Sequence, residues 1–278
     1  MKIFVTGATG KVGSRFTAYM LKEGHQVRIL VRDAERAKGL EEQGAEIVEG
    51  NLLQAERLTE ALRGTDAVVH LAAQFRGVSE EVAWASNLDA TQALANAALQ
   101  AGVKRFVFSS TGMVYSGMKR DVPCRENDPL QPIMAYPRTK VAAENALQEL
   151  HREQGLDLRI IRIGFVYGDG DRHIQEAAPL LSQWNAACPM SLVHHEDVCQ
   201  ALLLAAVTPD IAGRVFNAVD DTPIAVGELL RLNGLPTQDS AEEEPDLQQV
   251  LDPARIKQEL GFQAKYASFH EAKEQGAL

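Results

Sequence analysis

The chain has 278 residues, 45% hydrophobic and 24% charged, which suits one α/β domain with a smaller appendage sharing its core. Its net charge of -10 and its lack of Lys/Arg-rich runs argue against nucleic acid as a partner. No stretch reaches the roughly 18 apolar residues of a membrane span, no secretory leader pattern opens the chain, and three cysteines at unrelated spacings predict neither disulfides nor a zinc site. We therefore expect a cytoplasmic protein with no membrane partner.

Short apolar or β-branched runs alternate with helical patterns through the first 163 residues. This alternation predicts repeated βαβ units and a parallel sheet, the arrangement of a Rossmann-type doubly wound α/β fold. The predicted strands are 2–6, 26–32, 45–49, 67–71, 104–109 and 158–163.

The regular alternation fades after Gly168. We predict a dinucleotide-binding Rossmann domain at 1–164 and a small C-terminal α/β lobe at 165–278 that mainly binds substrate. Within the lobe, 191–218 is expected to return to the Rossmann sheet, with a helix at 196–206 and a strand at 214–218. The acidic, proline-interrupted run at 239–246 predicts a solvated loop, with a docking surface as the alternative.

A glycine turn follows the first predicted strand, with Gly7, Gly10 and Gly13 opening a helix that runs to about Glu23. Glycines at this spacing let the backbone approach a pyrophosphate and let the helix pack tightly on the strand. The helix N-terminus then offers unpaired N–H groups to the phosphates. An ordinary tight turn is the alternative, but the βαβ context predicts a site for NADP or NAD.

The end of the second predicted strand bears on which dinucleotide is bound. NAD-preferring folds usually place an acid there to hold the ribose 2′-hydroxyl, whereas this chain has Arg32, which can bind a 2′-phosphate. Lys11 and Arg36 could add positive charge nearby. Asp33 favours NAD if the strand ends one residue later, and Arg32 has the alternative of a solvated charge. NADP is the preferred cofactor.

Four motifs together resemble the extended short-chain dehydrogenases/reductases, the family of NAD-dependent epimerases, dehydratases and related reductases. Beyond the glycine turn, they are Val-His-Leu-Ala-Ala at 69–73, a strand and turn at 106–115 followed by Tyr136-Pro-Arg-Thr-Lys140, and Val-His-His-Glu-Asp-Val at 193–198. Tyr136 and Lys140 are four residues apart, which puts them on one face of a helix. The resemblance runs nearly end to end.

The resemblance implies roles for four catalytic residues. Tyr136 would be the general acid/base, and Lys140 would lower the pKa of its phenol and bond the nicotinamide ribose. Thr111 would hydrogen-bond the substrate oxygen, with Ser110 as the alternative. Asn87 would hold backbone geometry and an ordered water, or else be a polar helix residue facing solvent.

The remaining expectations concern the binding residues, metals and oligomeric state. The expected cofactor contacts are Gly7, Thr9, Gly10, Lys11, Val12, Gly13, Arg32, Arg36, Asn51, Leu52, Leu71, Ala72, Ala73, Ser109, Tyr136, Lys140, Gly164 and Val166. The candidate substrate contacts are Ser110, Tyr167, Arg172 and Trp184, with core packing as the alternative for Tyr167 and Trp184. The adjacent His194 and His195 make a poor metal pair, so no metal is expected. By resemblance, a homodimer would use helices near 79–101 and 136–154.

Three reactions fit these residues and a small-molecule substrate. An oxidoreductase would use NADPH to reduce a ketone or aldehyde, or run the reverse alcohol oxidation, with Tyr136 transferring the proton. A nucleotide-sugar epimerase or dehydratase would retain NAD, but the late arginine that such enzymes present to a diphosphate is missing from its expected place, where 240–246 is acidic. The short insert between Gly168 and Val193 offers only Arg172 as an anchor. A non-catalytic NADP-binding redox sensor would not need the intact Thr111, Tyr136 and Lys140 set. The reductase is the preferred interpretation.

Overall fold

The computed structural model describes residues 1–75, 77–117, 119–237, 246–247 and 249–278. Of the acidic run predicted as a solvated loop, only Asp246 belongs to this described part. Within it, no helix is both long enough and apolar enough to cross a membrane.

Strands of the described chain build one large sheet and two small ones. They are β1 (Lys2–Thr6), β2 (Gln26–Val31), β3 (Glu46–Glu49), β4 (Ala67–His70), β5 (Arg105–Thr111), β6 (Asp157–Ile163), β7 (Phe165–Tyr167), β8 (Pro189–Met190), β9 (Leu192–His194), β10 (Arg214–Ala218) and β11 (Ile224–Ala225). The large sheet has the order β10-β6-β5-β4-β1-β2-β3, and its pairs from β3 across to β5 are parallel. The chain therefore has the doubly wound α/β fold that the alternating pattern predicts.

Helices connect these strands. They are α1 (Lys11–Lys22), α2 (Lys38–Glu41), α3 (Ala55–Leu62), α4 (Glu80–Trp84), α5 (Ala90–Gln100), α6 (Ala135–Gln154), α7 (His173–Leu181), α8 (His195–Val207), α9 (Val226–Leu232), α10 (Ala254–Leu260) and α11 (Phe269–Glu274). A π-helical turn at Ala85–Asp89 joins α4 to α5, and Gly155 ends α6 in the left-handed conformation.

All six strands predicted before residue 164 are present, with ends that move by one or two residues. β2 ends at Val31 rather than Arg32, and β4 ends at His70 rather than Leu71. β5 runs to Thr111, two residues past its predicted end, because the polar side chains at 109–111 are buried in the strand. The helix predicted at 196–206 is α8, and the strand predicted at 214–218 is β10.

The chain divides into two compact units. The first comprises Met1–Thr111, Ile133–Ile161 and Cys199–Val215, and its core packs α3, α5 and α6 against strands through residues such as Phe4, Leu94 and Phe106. The second comprises Gly112–Pro132, Arg162–Val198 and Phe216–Leu278, and its core includes Tyr167, Leu192 and Phe269.

Candidate cofactor and catalytic site

The glycine turn between β1 and α1 is closed so tightly that side chains are excluded. Gly7 has a φ of 73°, and a Cβ built there would lie 2.6 Å from the backbone nitrogen of Ala72. A Cβ on Gly13 would lie 2.0 Å from the carbonyl oxygen of Gly7. Gly10 is the N-cap of α1, and as a glycine it has no side chain that could accept a hydrogen bond from the first N–H groups of the helix. This arrangement is a cradle of backbone donors that fits a pyrophosphate.

A cavity of about 370 Å³ opens beside this turn, entirely within the first unit. Its lining combines the turn with the carboxyl ends of β1, β2 and β4, which is where a parallel sheet of this type binds nucleotides. Ten of the expected cofactor contacts line it: Gly7, Thr9, Gly10, Arg32, Arg36, Asn51, Leu52, Leu71, Ala72 and Ala73.

The charged end of the cavity lies after β2. Arg32 and Arg36 both contribute to the lining. Asp33 is not among the described residues that line it, and its Oδ1 accepts a hydrogen bond of 3.1 Å from the backbone N–H of Glu35. Asp33 thereby caps the 3-10 helix Ala34–Ala37. Because β2 ends before Arg32, the arginine, rather than the aspartate, faces the nucleotide space.

The other expected cofactor contacts lie outside this cavity's described lining. Lys11 and Val12 open α1, and Gly13 is buried beneath the turn, where its role is to allow close packing. Ser109 lies in β5, and its hydroxyl donates a 3.0 Å hydrogen bond to the carbonyl oxygen of His70. Gly164 and Val166 belong to the second unit.

The Tyr136 and Lys140 side chains lie on the first turns of α6. The edge of the Phe75 ring contacts the Tyr136 ring at 4.6 Å between centroids. Lys140 is only 1% exposed, and its Nζ lies 4.2 Å from the centroid of the Phe108 ring on β5. Gln74 lines the nucleotide cavity, so the segment after β4 connects that cavity to the phenol.

The protonation chemistry of this pair differs from the expected one. Burial raises the pKa of the Tyr136 phenol above its ordinary value instead of Lys140 lowering it. Burial also lowers the pKa of Lys140 to about 7, and Glu144 opposes part of that shift. The cause is that both groups are desolvated, which disfavours their charged forms. The Tyr136 phenol is therefore protonated at neutral pH.

Asn87 is buried, so the alternative of a solvent-facing residue is wrong. Its side-chain amide makes two hydrogen bonds to the backbone of Gln74. The amide oxygen accepts from the Gln74 N–H at 2.7 Å, and the amide nitrogen donates to the Gln74 carbonyl oxygen at 2.9 Å. It also donates to Thr139 Oγ1 at 2.9 Å, and Thr139 donates to the carbonyl oxygen of Tyr136 at 2.7 Å. Asn87 thus ties the segment after β4 to the first turn of α6.

Two hydroxyls end β5 near this cluster. Thr111 is the last residue of the strand and is buried. Ser110 is also buried, and its Oγ has no hydrogen-bond partner among the described residues. Both remain candidates for contact with a substrate oxygen.

The remaining candidate substrate contacts belong to the second unit and differ in environment. Tyr167 is fully buried, with its ring against Phe269, so it packs in the core of that unit. Trp184 packs against the same core. Arg172 is exposed and precedes α7. Of the expected set, only Arg172 presents a charged side chain to solvent there.

Sequence reasoning missed several residues that shape the site. Gln74 and Ser86 line the cavity, and Thr6, His70, Thr91 and Thr139 form buried hydrogen bonds around Asn87. His70 stood within a quoted motif, but only its burial reveals that it is used. Among the described residues, no group of three His, Cys, Asp or Glu side chains is arranged to hold a metal ion.

A nucleotide cradle at the carboxyl ends of a parallel sheet, joined through one segment to a Tyr/Lys pair, defines a cofactor-dependent enzyme of the oxidoreductase and epimerase class. A model of the NAD dependent epimerase/dehydratase family matches residues 3–218. The chain belongs to that family and to the extended short-chain dehydrogenase/reductase superfamily.

Individual relatives span most of the chain. A 4-hydroxy-2-methyl-3-oxo-4-farnesyl-3,4-dihydroquinoline-1-oxide ketoreductase of Stigmatella aurantiaca is 28% identical over 97% of this chain and 79% of the relative. The structure of a dTDP-glucose 4,6-dehydratase from Streptomyces venezuelae with bound NAD matches with a TM-score of 0.83 and 26% identity over 99% of this chain and 95% of that one. A short-chain dehydrogenase/reductase from Agrobacterium tumefaciens with bound NAD has a TM-score of 0.80 and 26% identity, covering 99% and 100% of the two chains.

Proposed function

We propose that this protein is an NADPH-dependent reductase of a ketone or aldehyde, which also runs the reverse alcohol oxidation. The observation that carries the cofactor preference is the end of β2, where Arg32 and Arg36 line the nucleotide cavity and the Asp33 carboxylate caps the next turn. An arginine pair suits a 2′-phosphate, whereas a ribose 2′-hydroxyl calls for a free carboxylate.

The catalytic cluster supports reduction. When bound, NADPH would supply the hydride. Tyr136, kept protonated by burial, donates its phenolic proton to the carbonyl oxygen as that oxygen gains charge. Thr111 would donate a hydrogen bond to the same oxygen, and Lys140 would hold the nicotinamide ribose. Asn87 holds the segment after β4 and the first turn of α6 in a fixed relative position, so that the phenol keeps its orientation toward the substrate.

The relative that matches 97% of this chain is a ketoreductase, which favours a net reduction over internal redox chemistry. An apolar ring also lies beside the phenol, because Phe75 contacts the Tyr136 ring and is itself 39% exposed. Apolar surface next to the proton donor suits a carbonyl compound with a hydrophobic substituent.

The purified protein tests the proposal directly. Nucleotide released by denaturation is identified, and the stripped protein is titrated with NADPH and NADH while tryptophan fluorescence is followed. We expect an empty site or NADP, and at least tenfold tighter binding of NADPH. Equal affinities would remove the argument from Arg32 and Arg36.

A nucleotide-sugar epimerase or dehydratase is the second candidate, favoured by the fold match to a dTDP-glucose 4,6-dehydratase with bound NAD. Such an enzyme retains NAD and regenerates it in each turnover. NAD released in a one-to-one ratio from the purified protein would support this candidate over the reductase.

A further inference from the structure

His70 lies in the middle of a buried hydrogen-bond chain inside the first unit. Its Nδ1 lies 2.6 Å from the hydroxyl of Thr6, the last residue of β1 before the glycine turn. Its Nε2 lies 2.8 Å from the hydroxyl of Thr91 on α5. All three side chains are almost completely buried, so neither imidazole nitrogen exchanges these partners for water.

The partners fix where the proton of the ring lies. The Thr91 hydroxyl donates its one hydrogen to the carbonyl oxygen of Asn87 at 2.7 Å, so it can only accept from His70. His70 therefore carries its proton on Nε2, and its Nδ1 accepts from the Thr6 hydroxyl. Burial together with the nearby Lys140 lowers the pKa of His70 to about 3, so the ring stays neutral in this position.

The chain continues from Asn87 to the catalytic tyrosine. Asn87 lies in the π-helical turn Ala85–Asp89, where the backbone is irregular. The hydrogen bond from the Thr91 hydroxyl to the Asn87 carbonyl oxygen stabilises the backbone of this turn. The Asn87 side chain then donates to Thr139, which donates to the carbonyl oxygen of Tyr136. One run of hydrogen bonds thus joins the strand before the glycine turn to the first turn of α6.

We propose that His70 is a positioning residue, a neutral relay between Thr6 and Thr91 that fixes Asn87 and, through Thr139, the backbone that carries the Tyr136 phenol. His70 touches neither cofactor nor substrate in this role. Its effect on turnover is to hold the phenol at the distance and angle that proton transfer needs, while the nucleotide cradle keeps its own geometry.

Thr91→Val tests the relay, because it removes the hydroxyl and nearly preserves the shape of the side chain. We expect kcat for ketone reduction to fall about tenfold while the dissociation constant of NADPH changes less than twofold. Thr91→Ser, which restores the hydroxyl, should return kcat to within about threefold of wild type.

Thr17→Val is the matched control. Thr17 is a fully buried threonine of α1 whose hydroxyl has no hydrogen-bond partner among the described residues. It should leave kcat unchanged. The relay is overturned if Thr91→Val keeps wild-type kcat, or if Thr91→Ser loses as much turnover as Thr91→Val.

The turnover measurement rests on the proposed reductase function. A second measurement therefore tests the His70 relay separately from that function. Imidazole ¹⁵N chemical shifts of the wild-type protein with NADPH report the His70 tautomer without any substrate. The relay requires protonated Nε2, unprotonated Nδ1 and no titration between about pH 5 and 8. A proton on Nδ1, or a titration near the ordinary histidine pKa, overturns it. A wild-type protein that reduces no ketone but shows this tautomer contradicts the proposed function alone.

Discussion

The nucleotide cavity and the proposed catalytic cluster around Tyr136 and Lys140 lie in the same unit, but different chemical features shape them. The cavity is shaped by backbone and by missing side chains, as at Gly13, where a Cβ would meet the Gly7 carbonyl at 2.0 Å. The cluster is shaped by buried ionisable and polar groups, including Lys140, whose pKa falls to about 7. Changes in the cavity should therefore act sterically on nucleotide affinity, whereas changes in the cluster should act on proton transfer.

The largest expected effect tests the steric half of this comparison. Gly13→Ala forces a methyl group into the Gly7 carbonyl, and relief requires the turn to open. We expect NADPH binding to weaken by about a thousandfold, equivalent to about 4 kcal/mol. Isothermal titration measures it, with Gly39→Ala as the control because a Cβ there meets nothing within 4 Å. Similar affinities in the two variants would show that the turn is not a tight cradle.

Tyr136→Phe tests the other half, since it deletes only the phenolic hydroxyl. Turnover should fall by at least about a hundredfold, the scale of losing a general acid, while NADPH affinity stays unchanged. Steady-state rates and a binding titration give the two numbers. Tyr19→Phe, on α1, should behave as wild type. Near-normal turnover in Tyr136→Phe would remove this residue from the mechanism.

Arg32→Ala tests whether the positive charge in the nucleotide cavity, as distinct from the shape of the cavity, sets the preference for NADPH. Loss of a charge-assisted contact to the 2′-phosphate should weaken NADPH about thirtyfold and NADH less than twofold. Parallel fluorescence titrations with both nucleotides measure the ratio. An equal loss for the two would place Arg32 away from the 2′-position and would favour NAD as the cofactor.

The effect expected for Lys140→Met is the smallest of the four when taken per pH unit, and its measurement needs no substrate. Below about pH 7 the lysine is charged in both folded and unfolded chains, but between that value and its ordinary pKa only the unfolded chain binds the proton. The free energy of unfolding of the wild type, relative to Lys140→Met, should therefore rise with pH in that window by about 1.4 kcal/mol per unit. Denaturant unfolding between about pH 7 and 9.5 measures it. A difference that stays flat would show that Lys140 is not desolvated.

The contrast between the two regions also explains what the sequence could predict. Strand periodicity and the spacing of Gly7, Gly10 and Gly13 are local patterns, so the sheet and the glycine turn followed from them, whereas cavity-lining residues such as Leu71, Ala72 and Ala73 were expected from the family resemblance. The direction of the Tyr136 pKa shift did not follow, because it depends on burial by residues distant in sequence, such as Phe75.

The hydrogen bonds around Asn87 and His70 could not be predicted, because they join residues that are far apart in the sequence. The bond between His70 and Thr6 joins residues 64 positions apart, and the bond between Asn87 and Thr139 joins residues 52 apart. No periodicity in the sequence encodes such pairs. For Tyr167 the sequence left substrate contact and core packing open, and its ring packs in the core of the second unit.

The most direct test of the proposed reductase function is the ratio of alcohol formed to NADPH oxidised. The nucleotide-free protein is supplied with NADPH and a panel of hydrophobic ketones and aldehydes, and NADPH oxidation at 340 nm is compared with the alcohol formed. The proposed reductase function predicts one alcohol per NADPH consumed, with NADH at least tenfold poorer in kcat/KM. Tightly retained NAD, with no net nucleotide consumption on any carbonyl compound but conversion of a nucleotide sugar, would contradict it.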